Sequence, residues 1–137
     1  MRRAGLIALS LLGACEAHTD TGVRPLRPLE LATSTYEEAV TASMTGSLMY
    51  EDGCLLFREE GSGARLLPVW PAGSIFNGTS VIFHRPGKAD QPVLVSQEIV
   101  MEGLPGQWSV VTAPAYDPFE HQCVAQPFFV SRIQPAD

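Results

Sequence analysis

The sequence predicts an all-β fold, a small barrel or sandwich of five to seven short strands, on three observations. Turn formers recur throughout, with 12 glycines and 11 prolines in 137 residues. Charged residues are sparse at 18%, while apolar residues reach 45%, which suits one domain around one core. The apolar residues fall into short runs bounded by those turns, a pattern of strands rather than long helices.

The amino terminus stands apart from this pattern. Arg2 and Arg3 precede an apolar run from Ala4 to Leu12. That run is shorter than the roughly 20 residues a spanning helix needs. It ends in Leu12-Gly13-Ala14-Cys15, and the whole stretch resembles a bacterial lipoprotein signal. The resemblance implies cleavage after residues 1–14, with Cys15 as the lipid attachment residue and residues 15–44 as a lipidated tether. Small Gly13 and Ala14 suit a peptidase cleft, and stable anchoring takes more than one acyl chain, since each buried CH₂ contributes only about 0.8 kcal/mol. An ordinary secretory signal that happens to end beside a cysteine is the alternative. Glu16 rather than Asp after the cysteine favours the outer membrane, facing the periplasm, by resemblance to Gram-negative lipoproteins. Arg24-Pro25-Leu26-Arg27-Pro28 favours extended backbone, because each proline fixes its own φ and restricts its neighbour. Ser34-Thr35-Tyr36-Glu37 has capping-box spacing and predicts a short helical turn over Tyr36–Val40.

A barrel domain is expected over 45–137. Gly46–Tyr50 and Cys54–Phe57 flank Asp52-Gly53, a strong hairpin signal because glycine takes positive φ without steric cost. Glu59–Gly63 forms the next turn, before the strand Arg65–Trp70. Pro68 and Pro71 cannot donate to a ladder, which predicts an edge strand or a sharp bend there. Asn77-Gly78 turns into Thr79–Phe83, and Pro86-Gly87 turns again before Val93–Val95. Gln97–Glu102 alternates with period two, and Pro127–Ile133 is the last strand.

Gly46-x-Leu48, Gly53-Cys54-Leu55, Val69-Trp70-Pro71-x-Gly73, Glu98–Gly103 and Cys123 before Pro127–Val130 together resemble a small domain of uncharacterised bacterial exported proteins and lipoproteins. That resemblance implies a partly open, OB-like barrel and carries no activity. The segment from Pro105 to Gln122 is longer than the family pattern. Gly61-Ser62-Gly63-Ala64-Arg65 resembles a segment of small C-type lysozyme inhibitors, where it lies much farther from the first cysteine.

With Cys15 lipidated, Cys54 and Cys123 remain as an even pair in an oxidising compartment, and a disulfide between them is expected. Two free buried thiols are the alternative. Glu120-His121-Gln122-Cys123, with Cys54 or His84, offers a metal reading, but the spacing is not that of a zinc site and a disulfide would consume both thiolates. No metal or other cofactor is expected. His84 before Arg85-Pro86-Gly87 reads as a strand-end residue rather than a catalytic base. Ser62 lies in a hairpin turn rather than a nucleophile elbow. Asn77-Gly78-Thr79 fits a glycosylation sequon and also a simple turn. Trp70, Tyr116, Phe119, Phe128 and Phe129 either build the core or line a binding face. Trp108 and Tyr116 are the two to watch, because Gly103–Gln122 resists a strand reading, and loops of that length in compact domains are disproportionately functional or disordered.

The formal net charge is −6, and loss of Arg2 and Arg3 with the signal leaves 7 basic against 15 acidic residues, or −8. That balance argues against nucleic acid, whose phosphates must be neutralised, and against adhesion to anionic headgroups by overall charge. No nucleophile–base set is legible, so no enzyme is expected. The expected role is a membrane-anchored, non-catalytic envelope lipoprotein, an interaction or structural module with a possible envelope protein as partner. An inhibitor or ligand-binding barrel, for instance against a lysozyme, is the competing class.

Overall fold

The computed structural model describes residues 22–136. The predicted signal and Cys15 lie outside that range. Nine strands are present among the described residues: β1 (Ala32–Ser34), β2 (Ala42–Glu51), β3 (Cys54–Glu59), β4 (Arg65–Pro71), β5 (Ile75–Phe76), β6 (Ser80–Phe83), β7 (Gln91–Leu94), β8 (Glu98–Pro105) and β9 (Gln126–Pro135). Seven of them coincide with the predicted runs. The two additions, β1 and β5, are only three and two residues long.

Five strands form a ring. β2 pairs with β3 and β8, β3 with β4, β8 with β9, and β4 closes on β9. The closing pair is parallel, Leu66↔Gln126 through Val69↔Phe129, and the other four pairings are antiparallel. This is the small, partly open, OB-like all-β barrel that was expected. β5, β6 and β7 form a separate antiparallel sheet inserted between β4 and β8. Its Phe76, Val81, Phe83 and Val93 are buried together with Leu48, Phe57, Trp70 and Phe128 of the ring, so the insert adds to the interior core.

The unbroken apolar runs of β3 and β4 have a physical cause. Alternate residues face opposite sides of a strand, and both sides here are covered. Leu55 and Phe57 point into the interior core, while Cys54 and Leu56 join Leu67, Val69, Trp108 and Phe119 in a second core outside the ring. The cover is the chain after β8, which contains a 3₁₀ turn (Pro114–Tyr116) and a short helix α1 (Asp117–Gln122). Pro118 near the start of α1 needs no hydrogen-bond partner at its nitrogen, and Phe119 buries its ring in the second core. Cys54 and Cys123 are disulfide-bonded with Cα atoms 5.8 Å apart, which ties β3 to the residue after α1. The sulfur of Cys123 is thereby spent on Cys54, not held ready for a metal beside His121.

Four expectations need correcting. β4 is not an edge strand, since it lies between β9 on one side and β3 then β1 on the other. Pro68 is tolerated because it falls between the last residue paired with β3, Leu66, and the first paired with β1, Val69. The fold also begins before Thr45. β1 pairs in parallel with β4, and Leu26 joins the second core while its N–H donates to Gln122 Oε1 at 2.9 Å. Arg24 makes a forked pair with Glu30, and that guanidinium, with the Arg27 N–H, holds the Glu30 carboxyl below the usual carboxylate range. Tyr36–Val40 forms no helical turn; the stretch has no regular secondary structure and is hydrogen-bonded to β9 at Ser131. Finally, Gly103–Gln122 is not featureless, because its first three residues end β8 and its last nine hold the 3₁₀ turn and α1.

Candidate functional site

A cleft of about 680 Å³ opens where β4 and β9 diverge, within the range of small-molecule and peptide sites. One wall is β9, with Phe129, Val130 and Ser131; the adjoining wall is Ser34–Glu37, running on from β1. The third is the end of β8 and the loop after it, through Leu104, Val110, Val111 and Tyr116.

The β9 wall is shaped by a bulge. Its register with β8 steps from Glu102↔Arg132 to Gly103↔Val130 and leaves Ser131 as the extra residue. Val130 and the extra residue Ser131 are both buried. Ser131 Oγ shares its one hydrogen between the carbonyls of Glu37 and Ala39, at 2.8 and 2.9 Å. Its own carbonyl accepts the Tyr36 hydroxyl at 3.3 Å. These three bonds fasten 36–39 to the barrel. Opposite the bulge Gly103 is obligatory, since a Cβ there would sit 1.9 Å from the Phe129 carbonyl oxygen.

The loop wall is held as firmly. Trp108 Nε1 donates to the Ala125 carbonyl at 2.7 Å, and its backbone N–H donates to Gln126 Oε1 at 3.1 Å. Its ring lies 6.1 Å from that of Tyr116. The Tyr116 hydroxyl donates to the Thr33 carbonyl at 3.1 Å, and burial pushes its pKa above the ordinary tyrosine value, so it remains a donor. Val110 projects from this wall with 76% of its surface exposed.

Of the residues singled out in the sequence, Tyr116 and Phe129 line the cleft. Trp108 belongs to the second core and supports the wall from behind. Trp70, Phe119 and Phe128 are buried core residues. His84 pairs with Asp90 at 2.8 Å at the end of β6, Ser62 caps a turn by contacting Glu59, and Asn77 Oδ1 accepts the N–H groups of Thr79 and Ser80, all away from the cleft. Tyr36 and Ser131 also line the cleft and carry no sequence signal for it: the capping-box spacing points Tyr36 to a helical turn, and a bulge leaves no mark in the residue pattern.

The arrangement suits binding. Four lining hydroxyls, those of Ser34, Tyr36, Tyr116 and Ser131, donate into backbone carbonyls, and Glu37 is the one acidic or basic side chain among the lining residues. No family model matches the chain, and comparison with curated proteins and with solved structures gives no match either.

Proposed function

We propose that this chain is a non-catalytic envelope lipoprotein, held on the membrane through Cys15, whose barrel is a binding module with the cleft as its working surface. The cleft carries this reading. It is mostly apolar, bounded on three sides by segments that hydrogen bonds fasten to one another, and one wall comes from the 105–122 stretch, which is longer than the family pattern that the sequence resembles. The hydroxyls of Ser34, Tyr36, Tyr116 and Ser131 are engaged with backbone, which makes shape and apolar contact the main means of recognition.

Site-specific photo-cross-linking in cells tests it. A photoreactive residue at Val110 should form adducts with envelope components, and one at Ser62, on the far β3–β4 turn, should not. Equal yields at both positions, or turnover of a cell-wall substrate by the purified protein, would overturn the reading. Inhibition of purified lysozyme by the mature protein would replace it with the inhibitor class.

A further inference from the structure

A second hollow, of about 210 Å³, lies beside the cleft, and Tyr36 lines both. The remaining lining residues are Glu38, Arg85, Lys88 and Arg132. Three of the seven basic residues that follow Cys15 thus meet in one small pocket, including the only lysine of a strongly acidic chain. They arrive from separate elements. Arg85 and Lys88 flank the Pro86-Gly87 turn after β6, closed by the Lys88 N–H on the Arg85 carbonyl at 3.2 Å, and Arg132 stands on β9 next to the bulge. Arg85 rests its guanidinium 5.3 Å from the Phe83 ring centre, and Arg132 lies 3.4 Å from Glu102 Oε2. Among the described residues that is the one carboxylate within ion-pair distance of the three. Glu38 is the only acid on the pocket wall, so positive charge predominates.

Like charges do not gather without a cost, and here they gather where an apolar cleft ends. An apolar trough and a cationic pocket that share Tyr36 as a common wall are together complementary to an amphiphile with one chain and an anionic head. Two arginines and a lysine suit phosphate, which accepts forked guanidinium bonds. We infer that the two hollows form one site for an anionic single-chain phospholipid, its acyl chain along Leu104, Val110 and Phe129 and its phosphate on Arg85, Lys88 and Arg132. This deepens the reading of the cleft as a binding surface and rests on it. Overall negative charge disfavours adhesion to a headgroup layer but does not oppose a local pocket, since charges beyond about 8 Å are largely screened at physiological salt.

The full mature protein in a non-ionic detergent, titrated with chain-matched lipids and read by native mass spectrometry, tests the assignment. Lysophosphatidylglycerol should bind one per chain, at least tenfold more tightly than the uncharged monoacylglycerol. Glycerol phosphate, the head alone, should not bind measurably. Arg85→Ala with Lys88→Ala, both at the surface, should erase the preference for the anionic lipid, and Val110→Asp should weaken every lipid. Equal binding of charged and neutral lipids, an unchanged preference in the double variant, or glycerol phosphate binding as well as the lipid would each overturn the inference. If lipid fails to bind while Val110 adducts persist in cells, the lipid assignment falls and the binding module stands. If both fail, both fall.

Discussion

Gly103 and Glu98 stand near opposite ends of β8 and make contrasting demands. At Gly103 the backbone of β9 passes so close that a methyl group has no space, and the listless alternative of a rotamer change does not exist for a Cβ. Gly103→Ala should therefore destabilise the fold by about 3 kcal/mol, at the upper end of ordinary single substitutions. Chemical denaturation checks this, and a loss below about 1 kcal/mol would mean that the bulge relaxes easily. Glu98 faces Glu60, and their repulsion raises the Glu98 pKa above the ordinary glutamate value. A folded-state pKa above the unfolded one favours folding where the group is protonated and opposes it once pH rises through the folded pKa. Glu98→Gln should thus raise the melting temperature at pH 7 and leave it unchanged below about pH 4, where the glutamate is itself neutral. A melting temperature lowered at pH 7 would show that Glu98 makes a favourable contact outweighing the repulsion.

At the scale of elements, the disulfide and α1 act together. Phe119 and Cys123 anchor the same short helix over β3, one by packing and the other by a covalent bond. Closing a loop of 69 residues contributes about 4 kcal/mol in the chain-entropy model. Reduction should lower the melting temperature by roughly 15 °C, with proteolytic cleavage appearing first between Gly106 and Tyr116. An unchanged melting temperature would assign the stability of this region to packing alone. The pairing was legible by elimination, since the sequence has three cysteines and setting Cys15 aside as the lipidated one leaves Cys54 and Cys123. The runs themselves located seven strands because most are bounded by glycine, proline or asparagine turns, the β7–β8 turn using Ser96 at positive φ instead. What they concealed was tertiary. β1 is three residues long and becomes a strand only because β4 offers it a parallel partner. Pro68 signalled an edge, and the structure instead uses it where β4 exchanges one neighbour for another. The cleft was half legible: the unusual length of 103–122 marked one wall, while the Ser131 bulge and the Tyr36 wall depend on register between strands far apart in sequence.

For the molecule as a whole, the ring, its insert and the outer cover leave the amino-terminal chain lying against α1, through Leu26, Arg24 and Gln122. A lipid on Cys15, as proposed, would attach the barrel through the chain that precedes Leu26. Cys15→Ser should leave an unprocessed precursor, seen as a larger species on a gel with a changed detergent partition. The most direct measurement is the intact mass of the protein extracted from membranes of its own kind of cell. The proposed anchor predicts a chain that begins at Cys15 and carries diacylglycerol together with a further acyl chain. A mature chain that begins at any other residue and carries no lipid mass would contradict it.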